Sequence, residues 1–300
     1  GNTASASSTF DLDTTADADT AISIDTVEVD DVVNDTESTS VDVTINDVDS
    51  DAASVVVTLS GTGAADKVVT LTGDGTGTYT ATFAGVGDFT DGTLTATAVV
   101  TYTAGNTAEV EKDNITLDTT ADVAPALEVS FTDGHDGPLG GDDIVNAAEL
   151  DSTARLKVSG YDVADFGGLE IKISDTVSDI AVSIMAGETF GVTATVPAVY
   201  MESTLQLHVG DGGSTGASLT ATRNSDGTYS VDAADAGLAT LGALLSTGVP
   251  VFGRIEDANG DSLVGLLSDG AVTASVELTD QAGNTASASS TFDLDTTADA

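Results

Sequence analysis

The chain has 300 residues, of which 40% are hydrophobic but only 4% aromatic, with no Trp; that length is enough for about two domains. Seven Lys and Arg face 50 Asp and Glu, a formal net charge of -43. This excludes nucleic acid and anionic lipid as partners, because phosphate contacts need cations. The absence of Cys excludes disulfides, thiol catalysis and Cys-zinc sites. No apolar run approaches the roughly 18 residues of a membrane span, so no direct membrane insertion is expected. No signal peptide opens the chain; it starts in mid-pattern, so targeting signals can lie outside it.

In chain order, residues 1–18 read GNTASASSTFDLDTTADA and recur letter for letter as 283–300. Alternation of apolar and polar residues then predicts strands over 21–29, 40–47, 53–60, 67–73, 77–85, 93–103 and 109–118. Gly, Asp and Asn separate them, as sandwich turns require. About seven short strands at this spacing describe an immunoglobulin-like sandwich, and the first stretch carries no helix signal. Downstream, strand-like text appears at 169–174, 181–185 and 204–210. One short helix is predicted, with Asp232 as N-cap, Asp235 near its positive end, and Leu238, Leu241, Leu244 and Leu245 on one face. Gly248 and Pro250 stop it.

Repeats organise these elements. GNTA, a strand and LDTTAD occur three times, at 1–17, 105–122 and 283–299. DDVVNDTE (30–37) returns as DDIVNAAE (142–149), and GTGTYTATF (75–83) as SDGTYSVDA (225–233). The echoes keep one order in two modules. The expected fold is therefore all-β: tandem immunoglobulin-like antiparallel β-sandwich modules, the second enlarged by two insertions. Residues 1–16 read as the last strand of a preceding module, 17–120 as one module and 121–298 as the enlarged one.

The charge must be neutralised, and Asp outnumbers Glu by more than three to one. Short carboxylates in turns suit Ca²⁺, which takes 6–8 oxygen ligands; a solvated acidic surface is the plainer alternative. INDVDSD (45–51) sets Asp47, Asp49 and Asp51 at alternate positions. DGHDGPLGGDD (133–143), with Asp133 and Asp136, is Gly-rich and can loop tightly. DANGDS (257–262) puts Asp257, Asn259 and Asp261 at positions one, three and five of a calcium loop. It lacks Gly at position six and Glu at twelve, and an Asn-Gly hairpin turn reads the same letters.

Catalytic signals are nearly absent. His135 and His208 stand in no metal-ligand spacing, with no nucleophile elbow or phosphate loop; no enzyme is expected. Five of the seven basic residues, Arg155, Lys157, Lys172, Arg223 and Arg254, fall in the second module. They suit either local charge balance or an acidic or sugar ligand held by its insertions.

DDIVNAAEL followed by an alternating strand, closed by TDQAGNTA and LDTTAD, resembles the bacterial immunoglobulin-like repeats of giant RTX-type biofilm adhesins. The resemblance covers nearly all of 17–120 and the first and last strands of the second module. It implies an extender: many modules in series in a secreted protein at the bacterial cell surface, projecting a distal binding domain. It also implies Ca²⁺ at and near module junctions. The acids so placed are Asp13, Asp17, Asp19, Asp30, Asp31 and Glu37 at the first junction. Asp118, Asp122, Asp142, Asp143 and Glu149 form the parallel set at the second, and Asp295 and Asp299 stand at the chain's end. The D-x-A-G-N of the last hairpin, Asp280 to Asn284, adds Asp280, whereas the first module has YTAGN (102–106) and no Asp there. Partners so implied are neighbouring modules of the same chain, and an extracellular glycan or surface ligand through other domains. Two other readings stand beside it: a glycan- or surface-binding second module, and lateral assembly into a layer or filament.

Overall fold

The computed structural model describes residues 2–16, 21–121, 126–132, 144–152, 155–161, 164–187, 190–211, 216–248 and 250–297. The chain divides into two compact units, Gly1–Thr120 and Ala121–Ala300. In the first, β1 (Ser23–Ile24), β2 (Val32–Val33), β3 (Ser40–Asn46), β4 (Ala52–Ser60), β5 (Lys67–Thr72), β6 (Tyr79–Ala84), β7 (Gly92–Tyr102) and β8 (Thr107–Leu117) build two sheets. Their orders are β1-β3-β6 and β2-β8-β7-β4-β5. Alternation dictates the core: Val41, Val43 and Ile45 of β3 face Val55, Val57 and Leu59 of β4 from the opposite sheet, all fully buried. At ~1.5–3 kcal/mol per large aliphatic side chain buried, this row contributes substantially to a core that also holds Tyr79, Phe83, Phe89 and Tyr102.

Only Ser23–Ile24 of the strand expected over 21–29 forms. The chain then turns through Glu28 and Asp31, both at positive φ, to reach β2. There Val32 and Val33 run parallel to Thr116 and Leu117 of β8.

The second unit repeats this plan with added strands. Its elements are β9 (Glu128–Thr132), β10 (Ile144–Asn146), α1 (Ala147–Ser152), β11 (Arg155–Ser159), β12 (Phe166–Ser174), β13 (Asp179–Met185), β14 (Gly191–Thr195) and β15 (Thr204–Gly210). There follow β16 (Gly216–Arg223), β17 (Tyr229–Val231), α2 (Gly237–Leu245), β18 (Val251–Glu256), β19 (Gly270–Asp280) and β20 (Thr285–Asp295). They join in one sheet ordered β10-β20-β19-β12-β13-β14-β17-β16-β15-β18-β11-β9. The sheet curls until its two ends meet, with the Phe131 ring of β9 stacked 4.6 Å from Phe292 of β20. The parallel pairing recurs in the same register, Val145 opposite Leu294 as Val33 is opposite Leu117.

Topology corrects the expected insertions. β6 lies beside β3, but its sequence echo at 225–233 forms β17, between β14 and β16. The strand beside β11 is β18. The echo is real only as turn chemistry: Asp74 accepts the Thr76 N–H and hydroxyl, and Asp226 accepts those of Thr228. The text at 169–174 and 181–185 is β12 and β13, which match β4 and β5. The added material is therefore one block, β14 to α2. The helix there starts later than expected: Asp235, not Asp232, takes the Gly237 N–H, at 2.8 Å, while Leu238, Leu241, Leu244 and Leu245 are buried as the pattern requires. A second short helix, α1, was not expected. Asn146 accepts the N–H groups of Ala148 and Glu149 at its start, and six residues are too few for a periodic signal.

Residues 2–16, expected as the last strand of a preceding module, form no strand within this chain. Among the described residues nothing pairs them, whereas the same letters form β20 against β19. Phe10 is 84% exposed and its counterpart Phe292 6%. An extended segment without a neighbouring edge has neither ladder hydrogen bonds nor a core to enter.

Both closing sheets carry a bulge at one place, between Ala52 and Ser54 and between Phe166 and Gly168. A Cβ on Gly167 would sit 2.1 Å from the Asp280 carbonyl oxygen, whereas one on Gly216 would come no nearer than 3.4 Å to any neighbour. Gly167→Ala is expected to destabilise the second unit by about 1–3 kcal/mol through forced backbone movement, with Gly216→Ala close to neutral. Urea unfolding of both variants measures the difference.

Candidate metal centre

The bulge sets Asp165 beside the last hairpin of the second unit. The Gln281 N–H bonds the Asp165 carbonyl at 3.1 Å, and oxygens of the Asp165 and Asp280 carboxylates lie within 4.8 Å of each other. Asp280 is 3% exposed and Asn284 6%. The Asn284 backbone N–H and side-chain amide each donate to Asp280, both at 2.8 Å, and Gly283 turns the hairpin at φ 94°. The donor set is all oxygen, with two carboxylates that repel when both are charged. That fits a hard divalent cation such as Ca²⁺.

The first unit builds the same turn with different letters. The Tyr102 N–H bonds the Asn106 carbonyl at 2.9 Å, and the Thr103 N–H bonds that of Asp51 at 3.0 Å. Tyr102 stands where the second unit has Asp280. The Asn106 amide instead donates to Asp13 Oδ1 at 3.2 Å, to the Asp13 carbonyl at 3.3 Å and to the Thr15 carbonyl at 3.1 Å. Asp13 is thereby brought to the closing hairpin of the first unit.

Other acids singled out in the sequence are engaged differently. Asp31 meets Lys112 Nζ at 2.8 Å and accepts the Val27 N–H at 2.8 Å. Burial pushes its pKa up, but the Lys112 and Val27 hydrogen bonds prevail and hold it below the usual range. Asp30 accepts the Val32 N–H. Glu37 and Asn34 exchange N–H bonds at 3.0 Å each, and Glu149 and Asn146 do the same at 3.1 and 2.9 Å, a reciprocal cap that explains the N-x-x-E echo. Asp118 accepts the Thr120 N–H at 3.4 Å, and Asp295 is exposed at the end of β20. Asp257 accepts the N–H groups of Asn259 and Asp261 and the Asn259 amide, closing the Asn-Gly turn. Asp17, Asp19, Asp122, Asp133, Asp136, Asp142, Asp143 and Asp299, with His135, lie outside the described residues. His208 pairs with Glu256 at 3.2 Å.

Three functional-looking acids escape the sequence reading. Asp165 matches Asp51, one residue before each bulge. Asp91 accepts the Thr119 N–H and both Thr119 and Thr120 hydroxyls. Asp269 takes the N–H and hydroxyl of both Thr296 and Thr297. The signal was present: VGDFTDG (86–92) and VGLLSDG (264–270) are a further echo, and each Asp fastens the T-T of LDTTAD. Hydrogen bonds from the Thr297 hydroxyl, then from the Thr296 N–H and hydroxyl, lower the Asp269 pKa to about 2.

No protein-family model matches the chain, and no curated protein matches it significantly. Among solved structures, the chain is similar to one concerned with host cell surface retention of a 1.5-MDa bacterial ice-binding adhesin, at 19% identity over 94% of this chain and 100% of that one, TM-score 0.33. It is similar to a Ca²⁺-stabilised adhesin with which an Antarctic bacterium reaches out and binds ice, at 20% identity over 94% and 75%, TM-score 0.34. It is also similar to a tetra-tandem repeat from the extending region of a large adhesion protein, at 18% identity over 92% and 74%, TM-score 0.26. Among the described residues no helix is long and apolar enough to cross a membrane.

Asp280→Ala is expected to remove the two buried hydrogen bonds that Asn284 donates to it, lowering stability by about 2–4 kcal/mol in urea unfolding. For Asp269 the folded pKa lies below the unfolded value. Its contribution is therefore full above about pH 4 and is lost as pH falls through about 2. NMR titration of the carboxyl carbon should show that low midpoint, and Thr297→Val should raise it.

Proposed function

We propose that the chain is an extender segment of a large, non-enzymatic bacterial surface adhesin, stiffened by Ca²⁺ at module junctions and projecting a distal binding domain outside the cell. The observation that carries the reading is recurrence: one β-sandwich plan, closed by one GNTA-to-LDTTAD strand, is used twice in the chain. Serial repetition serves reach rather than a unique reactive site. Hairpin oxygens at Asp165 and Asp280, and the tail acid Asp13 drawn to Asn106, support a cation beside the closing hairpin. With a net charge of -43, a chain without cations repels itself. Bound Ca²⁺ would join carboxylates of successive modules and remove that repulsion where the modules meet. Residues 1–16 belong, in this reading, to the module before.

Melting and small-angle scattering of the chain in millimolar Ca²⁺ and in excess chelator test this. The expected result is a higher Tm and a longer, less flexible particle with Ca²⁺. Profiles unchanged by chelator would remove calcium stiffening from the proposal. Asp280→Asn should weaken the calcium response while keeping one of the two hydrogen bonds that Asn284 donates to this position, since the amide nitrogen cannot accept the other.

A further inference from the structure

The first unit leaves one side of its sandwich without acids. β5 ends its sheet, and among the described residues no strand pairs with its outer side. β6, which ends the other sheet, runs beside it. The chain has 50 Asp and Glu in 300 residues, yet residues 67–73 and 75–87, which include both strands, hold none. The opposite edge is acidic: Asp30 and Asp31 precede β2, and β8 carries Glu109, Glu111 and Asp113.

β5 reads KVVTLT, rich in β-branched residues and without Gly or Pro. Register fixes which of its groups face β4. The Gly73 N–H bonds the Ala53 carbonyl at 2.9 Å, in line with the pairs Leu71–Val55 and Val69–Val57. Ladder bonds alternate, so the N–H and C=O groups of Val68, Thr70 and Thr72 point away from β4. Val68 is also 59% exposed. Natural edges of this kind are guarded by Lys, Pro or a bulge. The Lys here, Lys67, is turned aside: its Nζ bonds Asp88 at 3.0 Å and lies 5.8 Å from the centre of the Phe89 ring. The second unit shows what such an edge takes. Its matching strand, β13, is covered by β14, an antiparallel strand reading GVTAT, without charge. The first unit has no counterpart of β14 beside β5.

We propose that β5 pairs antiparallel with β5 of a second copy of this chain. Charge selects the side. At a net charge of -43 two copies repel each other, and the repulsion is least where both present strands without acids. A two-fold pairing also satisfies both edges at once. Charge selects the register as well. With Thr70 opposite Thr70, Asp66 would face Asp74 of the other copy, a like-charge pair. With Val69 opposite Val69 those acids are kept apart, and Val68 exchanges backbone bonds with Thr70 of the other copy. The inference is independent of the extender reading.

The test is sedimentation equilibrium of the full chain at fixed Ca²⁺, from micromolar to millimolar and in low and high NaCl, with amide hydrogen exchange on the same samples. The mass should rise towards that of a dimer with concentration, and further in high salt, which screens the repulsion. Where dimer prevails, exchange at Val68 and Thr70 should slow about tenfold or more, because a bonded amide exchanges only on opening. Val69 and Leu71, already bonded to β4, should change less. Thr70→Pro removes an outward N–H and no bond to β4, and it should keep the chain monomeric. A monomer at every concentration and salt overturns the proposal. Association that leaves the Val68 and Thr70 amides unchanged, or that weakens as salt rises, overturns it too. These readings come from the unaltered chain, so they decide the matter even where the Pro variant fails to fold.

Discussion

Fifty carboxylates and seven Lys and Arg cannot be matched by ion pairing, and this shortage governs how the chain folds. Its acids are satisfied by N–H and O–H donors instead. Asp74, Asp226, Asp232 and Asp257 each take a backbone N–H two residues on, which makes every one of them a turn. Asp175 takes three backbone N–H groups, from Ser268, Ser178 and Val177, and its pKa is strongly lowered. Asp269 and Asp91 are served by adjacent threonines. The abundance of Asp over Glu then has a structural reason, because only the shorter carboxylate reaches the backbone so near its own Cα. Cations are left for a few positions, chiefly Asp31 with Lys112 and Arg254 with Glu256. Asp165 and Asp280 are the described pair whose carboxylates are instead held close to each other.

The β-sandwich architecture was legible because alternation is a direct record of which face is buried. Val41, Val43 and Ile45 could be assigned to a core from spacing alone. The short strands were not legible. β2 has two residues, and its place beside β8 depends on a parallel pairing between segments some 80 positions apart. The DGTY echo misled because Asp-x-Thr turns recur wherever a strand begins, whatever sheet that strand joins. The extra residue in GNTAEVEKDNITLDTTAD relative to the C-terminal copy has a visible cause: the β7–β8 register shifts between Leu94 and Ala96, and β19–β20 runs without a shift.

The candidate site was legible in part. Asp280 and Asn284 were marked by D-x-A-G-N, but Asp165 was hidden because its relation to the hairpin passes through a bulge, and a bulge changes register without changing the alternation by which strands are read. Glu37 and Glu149 recur beside acids, and each also closes a cap with the Asn three residues before it. Recurrence shows that a residue is needed by the module and leaves open whether packing, capping or a ligand is the need.

The parallel pairs β2–β8 and β10–β20 have a consequence under tension. Each unit is entered through its early strands and left through its last one, so a pull on the two ends draws β2 and β8 lengthwise past each other. Their hydrogen bonds then share the load together and must break together, instead of opening singly as in a peeled hairpin. Asp31 adds to the grip: its carbonyl holds the Thr116 N–H at 2.8 Å while its carboxylate holds Lys112. The Val33 carbonyl holds the Asp118 N–H at 3.0 Å at the other end of the pair. Two short strands placed this way act as a clasp, and a chain of such units would yield to force one clasp at a time.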